Sequence, residues 1–466
     1  MLTLRLLICA TFLGGCDIVF SVDEVAEPAG HPVAVTGVLR RRLIENDASD
    51  VPHLSPLSSP TMAVADVAFA DGSKQELVLG PEGEIAFTWP DDAQPYSITI
   101  RSPLSDVVTY QLMSPRLQLV ERVAGRGDRA PVTPNTLIHL TFPSDPAPAS
   151  TYIELESTGI WTRKFIASAT QPFDWSTQGT FGGPIGLLES GPDEMIYLEQ
   201  QAAGPTFLKL GRYGIQHQPG LAAGQDNAMP FDLVTSVPDT CVSITVDHVA
   251  ETQRLLALDP TGVNVGWYVF AAPAEEYLPD LGFPLTIRNL APETSPFSET
   301  FMYQNPLEGF STYAAFEVHT LGAADIRTFV TVPLDSTCSP VPIPTGVVKI
   351  AHDFAVAGTA LTTAGQGVAI DRSKLVPITF TPTETGDADF YIVTVRDATP
   401  NGVLRARIVT GEPRVLIDPD LLLPARSYVI TVNTRVGVPN AQSGDFETTG
   451  SLFAVGIATS TTFQVQ

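Results

Sequence analysis

Hydrophobic and polar residues alternate with period two in short runs along most of this chain, the signature of half-buried β-strands. Between residues 31 and 120 the runs are His31-Pro-Val-Ala-Val-Thr-Gly-Val-Leu, Val64-Ala-Asp-Val-Ala-Phe-Ala, Glu76-Leu-Val-Leu, Gly83-Glu-Ile-Ala-Phe-Thr-Trp and Tyr96-Ser-Ile-Thr-Ile. Asp71-Gly72 reads as a hairpin turn between two of them. Residues 130–236 continue with Leu137-Ile-His-Leu-Thr-Phe, Tyr152-Ile-Glu-Leu-Glu, Met195-Ile-Tyr-Leu-Glu-Gln and Phe207-Leu-Lys-Leu-Gly. Residues 237–340 carry Val242-Ser-Ile-Thr-Val, Gly266-Trp-Tyr-Val-Phe, Leu285-Thr-Ile-Arg and Phe329-Val-Thr-Val. Residues 341–466 carry Pro377-Ile-Thr-Phe380, Phe390-Tyr-Ile-Val-Thr-Val, Tyr428-Val-Ile-Thr-Val and Thr461-Thr-Phe-Gln-Val. Strands this short and regularly spaced, separated by turn residues, predict an all-β chain of several tandem β-sandwich domains with those four boundaries.

The amino terminus departs from the pattern. Leu6 to Leu13 is mostly apolar with Arg5 as the only charge before it, and it ends in Leu13-Gly14-Gly15-Cys16 followed by polar residues. A membrane span needs ~20 apolar residues, so this run is too short to cross a bilayer. The alternative is a buried first strand or helix. The stretch resembles the lipobox of bacterial lipoproteins. That resemblance implies a signal peptide over residues 1–15, cleavage before Cys16, and a lipid on Cys16 that attaches the protein to a membrane of the cell envelope. Inner or outer membrane, periplasmic or surface-exposed, stays open at this point. Residues 16–30 then form a tether whose reach, if flexible, is on the order of 20 Å, so the first domain lies close to the bilayer and the rest extends outward.

Composition narrows the partners. The chain carries 51 Asp and Glu against 26 Lys and Arg, and its only basic cluster is Arg40-Arg41-Arg42. A phosphate-reading protein needs a basic face, so a nucleic-acid partner is not expected. An anionic lipid surface repels such a body and leaves attachment to the anchor. Its 36 Gly and 40 Pro in 466 residues fall short of the roughly one quarter that marks low-complexity chains, which implies folded domains joined by short turns.

Four cysteines are present. With Cys9 in the signal peptide and Cys16 lipidated, Cys241 and Cys338 remain, and in an oxidising compartment the simplest outcome is a disulfide between them. Two free thiols are the alternative. The segments leading to them are alike: Phe231-Asp-Leu-Val-Thr-Ser-Val-Pro-Asp-Thr-Cys241 and Thr328-Phe-Val-Thr-Val-Pro-Leu-Asp-Ser-Thr-Cys338.

Two further resemblances bear on fold. Val35, Gly37, Val67, Phe69, Glu82-Gly83, Ile85, Phe87, Tyr96, Ile98 and Ile100 follow the order of a carboxypeptidase regulatory-like sandwich, a spacer module without catalytic groups, over residues 31–120. Leu422, Pro424, Tyr428, Ile430 and Val432 resemble the Leu-x-Pro-x-x-x-Tyr-x-Val/Ile-x-Val motif of fibronectin type III domains over residues 341–466. That resemblance implies a corner tyrosine at Tyr428, bonded back to the main chain, with Phe380 where the family usually has tryptophan. Residues 130–340 resemble no family.

Catalytic spacings are missing from the sequence. No Gly-x-Ser-x-Gly elbow, paired-histidine zinc helix, phosphate-binding glycine loop or Cys-x-x-Cys occurs, and His31, His53, His139, His217, His248, His319 and His352 are scattered. No cofactor is implied. Asp387 and Asp389, with Glu384 near, are weak candidates for Ca²⁺ through hard oxygen donors, against the plainer reading of a solvated turn. Trp89, Trp161, Trp175 and Trp267 are candidates to stack on sugars, against the plainer reading of core residues. Arg126-Gly127-Asp128 reads as a chance tripeptide in a loop. The expectation is a lipid-anchored protein with a structural or binding role toward an envelope protein or glycan. The alternative is an envelope hydrolase acting on polysaccharide or peptide, with paired carboxylates in residues 130–340.

Overall fold

The computed structural model describes residues 30–44, 53–59, 63–102, 107–124, 132–143, 152–158, 162–166, 171–177, 187–190, 193–204, 207–272, 285–290, 296–306, 311–399, 402–450 and 452–466. Within them the protein is all-β, with several β-sandwiches and a single α-helix.

The first sandwich contains β1 (Val33–Ile44), β2 (His53–Pro56), β3 (Val64–Ala68), β4 (Lys74–Leu77), β5 (Glu84–Trp89), β6 (Tyr96–Arg101), β7 (Val108–Leu112) and β8 (Arg116–Ala124). β1 pairs β2, β5 and β8, while β4–β3–β6–β7 forms the facing sheet. Alternation places Val35, Leu39, Ile85, Phe87, Trp89, Tyr96 and Ile98 between the sheets, all buried, and each large apolar side chain so enclosed stabilises by about 1.5–3 kcal/mol. Gly83 has φ +77°, and a Cβ there would lie 2.2 Å from the Leu39 carbonyl oxygen, so only glycine fits.

The second comprises β9 (Leu137–Thr141), β10 (Tyr152–Thr158), β11 (Thr162–Ile166), β12 (Phe173–Asp174), β13 (Glu194–Gly204), β14 (Phe207–Gln216), β15 (Asp226–Pro230) and β16 (Val234–Thr235). β13 buries both faces. Met195 and Tyr197 pack with Trp175 and Phe231, whereas Ile196 and Leu198 join the core of the next sandwich.

The third has β17 (Thr240–Val246), α1 (Val249–Leu258), β18 (Val263–Ala272), β19 (Leu285–Leu290), β20 (Phe297–Tyr303), β21 (Ser311–Thr320), β22 (Arg327–Pro333) and β23 (Thr337–Ile343). The helix was not anticipated from the period-two pattern. Its buried Glu251 pairs with Arg254 (2.6 Å) and accepts the Gly346 N–H (2.8 Å), while Arg254 donates to the Val348 carbonyl (2.7 Å). It thereby fastens the segment that enters the last sandwich.

The last has β24 (Ala351–Val356), β25 (Thr359–Ala360), β26 (Gln366–Val368), β27 (Val376–Pro382), β28 (Phe390–Asp397), β29 (Leu404–Thr410), β30 (Arg414–Ile417), β31 (Ser427–Val436), β32 (Phe453–Thr459) and β33 (Phe463–Val465). Tyr428 is fully buried; its hydroxyl accepts the Leu423 N–H at 2.6 Å and donates to the Leu423 carbonyl at 3.4 Å. Phe380 packs edge-on against Tyr391, ring centroids 5.0 Å apart.

One sheet of 19 strands runs through all four sandwiches, joined by β14–β19, β22–β32 and β7–β29. The third of these junctions corrects the expected outward row. β7 of the first sandwich pairs in parallel with β29 of the last, so the last sandwich returns to the first. Alternation along a strand says which face is buried but not which distant segment buries it.

Candidate functional site

Cys16, Trp161 and the Arg126-Gly127-Asp128 tripeptide lie outside the described residues. Cys241 and Cys338 form a disulfide, Cα atoms 5.1 Å apart. They sit on β17 and β23, adjacent parallel strands, which accounts for the alike segments that lead into them: each delivers a cysteine to the same end of one sheet. On the outward face the disulfide lies beside Met302, followed by the hydroxyl pairs Ser243–Thr300 (2.8 Å) and Thr245–Ser298 (3.3 Å).

The Ca²⁺ candidates Asp387 and Asp389 stand in the turn before β28 and make other bonds. Asp389 accepts the N–H groups of Gly437 (2.7 Å) and Val438 (2.8 Å), and Asp387 is held through its backbone to Val347 and Lys349. Among the described residues no cluster of three His, Cys, Asp or Glu is arranged to hold a metal. Trp89, Trp175 and Trp267 are at most 3% exposed, so these three are core residues and offer no face to a sugar. A cavity of about 390 Å³ opens beside Trp89 between Phe69, Asp71, Asp91 and Gln94. Its acids serve their own turns. Asp71 accepts from the Ser73 hydroxyl (2.6 Å) and N–H (2.8 Å), which holds its carboxyl below the usual range, and Asp91 accepts the Ala93 N–H.

Among the described residues of 130–340, buried Glu199 and Glu251 are each neutralised by an arginine. Glu199, fully buried, accepts Arg212 in a fork (2.6 and 2.8 Å) and the Tyr197 hydroxyl (3.0 Å). Burial, then the Glu199 charge, raises the Tyr197 phenol well above its ordinary range. On the outer face of the third sandwich the Tyr268 hydroxyl reaches Glu317 (3.4 Å) across Gly266, and His319 stands 3.7 Å from the same carboxylate. Arg327 beside them is forked to Asp325 (2.8 and 3.1 Å).

Residues far apart in sequence converge at the seam between the first and last sandwiches. Phe446 packs edge-on against both Tyr110 (5.2 Å between centroids) and Phe390 (5.4 Å), and Ile392, Val409, Val438 and Ala441 complete this core with residues of the first sandwich. Backbone bonds continue the contact: Gln118 N–H to Gly444 O (2.9 Å) and Phe446 N–H to Gln118 O (2.9 Å). Gly444 has φ +88°, and a Cβ there would stand 2.3 Å from the Arg116 carbonyl oxygen, so glycine is required for the approach. Buried Gln111 acts as a short strand, accepting the Leu416 N–H at 2.9 Å and donating to the Leu416 carbonyl at 3.2 Å along the edge of β30.

Charges ring the seam. Arg40 donates to both oxygens of Glu447 (2.8 and 2.7 Å), and Lys74 meets Asp418 at 3.1 Å. Asp418 is held below the usual carboxylate range chiefly by the Asp420 N–H, with Lys74 adding to it. Arg41 is buried against Glu121 (2.6 Å) and Ser102 (2.8 Å). Two members of the only basic cluster are therefore engaged within the protein, one of them across the seam. The arrangement holds the first and last sandwiches together.

No family model matches the chain, and no curated protein matches it. Among solved structures it is similar to the FN1–FN3 domains of chicken CNTN1, at 8% identity over 87% of this chain and 89% of that one, with a TM-score of 0.15. A tetra-tandem repeat in the extending region of a large adhesion protein gives 10% identity over 92% and 98%, TM-score 0.13. Trypsin-activated alpha-2-macroglobulin from Escherichia coli gives 8% over 94% of this chain and 22% of that one, TM-score 0.13. Overlaps this loose carry no argument, and the fold class rests on the strands and cores described above.

Proposed function

We propose that this protein is a lipid-anchored cell-envelope lipoprotein with a structural or binding role, held to a membrane through Cys16 and contacting an envelope protein or glycan. The observation that carries the reading is Leu13-Gly14-Gly15-Cys16 after a short apolar run and before a polar tether. A disulfide of the kind that persists in oxidising compartments supports it. So do buried Glu199 and Glu251, each tied up in an ion pair with an arginine. In this reading the first sandwich is a carboxypeptidase regulatory-like spacer, the last is fibronectin type III-like with Tyr428 as its corner, and neither is catalytic.

Mass spectrometry of the native protein is the test. The expected amino terminus is Cys16 bearing a thioether-linked lipid, and Cys16→Ala moves the protein from the membrane to the soluble fraction. A native chain that begins at Met1, or an unmodified Cys16 with unchanged fractionation, overturns the proposal. For the binding role, the soluble form immobilised on resin is expected to retain an envelope protein or polysaccharide, and retention of neither counts against it.

A further inference from the structure

An anchored protein that grips a partner outside the membrane is pulled between the two, and the strand directions here say how this chain meets that pull. β1, the first strand after the tether, runs parallel to β8 over nine consecutive register pairs, Thr36–Arg116 to Ile44–Ala124. A pull on the amino end of β1 drives it to slide along β8, loading those pairs together, whereas a hairpin opens one pair at a time. β8 is itself held from its other side by the last sandwich, through Gln118 with Gly444 and Phe446, and β1 is held to it directly by Arg40 and Glu447. Behind these bonds lies the Tyr110–Phe446–Phe390 core. Tension entering at the amino end therefore reaches the carboxy-terminal sandwich within one strand's width, without crossing the second or third.

We propose that the seam between the first and last sandwiches is the junction that carries tension between the amino-terminal anchor and the carboxy-terminal sandwich, so that this tension does not cross the second and third sandwiches, which meet the last through β22–β32. The inference deepens the structural role proposed above and rests on it for the source of the pull. The third sandwich carries its own safeguard. Cys241 and Cys338 join β17 and β23, the first and last strands of the third sandwich, so any load that does reach this unit passes from one cysteine to the other.

Single-molecule stretching of the soluble mature chain, with handles at its two ends, tests the order of events. The seam is expected to rupture first, at a force lowered by Phe446→Ala and, to a lesser degree, by Arg40→Ala, a rim substitution that leaves the core intact. Lengthening that depends on reductant is expected only after that rupture. It adds about 330 Å for the 97-residue separation between the cysteines at ~3.4 Å per residue. Reductant-dependent lengthening as the first event overturns the proposal, as do first-rupture forces equal in wild type and both variants. An unlipidated Cys16 leaves this rupture order unchanged, and a failed rupture order leaves the lipid on Cys16 unchanged, so the two readings fail separately.

Discussion

Where Tyr110 and Gln118 meet Phe390, Gly444 and Phe446, the first and last sandwiches are joined by buried rings and backbone hydrogen bonds. Where Cys241 meets Cys338, the third sandwich is joined at its ends by a covalent bond on an exposed sheet. Both contacts close long stretches of chain. They differ in what the local surroundings offer. β7 and β29 are buried or half-buried throughout, so apolar area and well-made hydrogen bonds suffice. Most of β23 is exposed, and Pro340 and Pro342 bring no N–H to its pairing with β17. A strand so poor in donors and burial adheres weakly, and the disulfide supplies what packing does not. The comparison teaches that this fold closes by burial where burial is available and by covalent chemistry where it is not.

The largest effect is expected from removing the covalent closure. Cys241→Ser with Cys338→Ser should cost about 4–5 kcal/mol in the chain-entropy picture of a loop of this length, read as a lower denaturation midpoint confined to the third sandwich and its neighbours. A change below ~1 kcal/mol would show that the β17–β23 pairing holds unaided. Next is Phe446→Ala, at about 3–5 kcal/mol for a buried ring lost from a core. Because that ring belongs to two sandwiches, hydrogen exchange should rise in β7 and β8 as well as in β28 and β29. A rise confined to the last sandwich would reduce the seam to a passive contact.

Gln111→Ala tests a smaller part of the same junction. It leaves the Leu416 N–H and carbonyl without their partners, at about 1–3 kcal/mol, and faster exchange of the Leu416 amide is the direct readout. Acid has the smallest effect. Asp418 is depressed in the folded protein by the Asp420 N–H and then by Lys74, so its contribution is present above the unfolded carboxylate pKa of about 3.9 and lost as pH falls below it. Melting temperatures should be flat with respect to this group from pH 7 to about 5 and fall below about 4. Asp418→Asn should make that acid limb shallower. An unchanged limb would show that the rim carboxylate contributes nothing to the seam.

Some of this was legible in the residues alone. Alternation at β5, β6, β28 and β31 placed Ile85, Phe87, Ile98, Val393 and Val432 in cores, where they lie. Cysteine counting paired Cys241 with Cys338 because only two thiols remained in an oxidising setting. The α1 helix has no period-two signal, and although Glu251, Leu255 and Leu258 stand at i, i+4 and i+7 on its buried side, a ten-residue helix among strands is outweighed by its surroundings. Trp89, Trp175 and Trp267 could be given two roles from sequence, and only their burial chose between them. The seam had no sequence signal. Gln111, Gly444 and Phe446 are an ordinary strand glutamine, a turn glycine and a lone loop phenylalanine until residues some 300 positions apart are brought together.

For the alternating runs at β5, β6, β28 and β31, strand identity and inward face followed from the sequence by itself, because side chains on a strand alternate and the apolar ones must leave water. The pairing of β7 with β29, the capping of β30 by Gln111 and the return of the last sandwich to the first were decided only by the tertiary structure. The physical reason is that an alternating pattern specifies how much surface each face must bury, whereas which distant segment buries it depends on shape, register and donor geometry that exist only once the chain has folded.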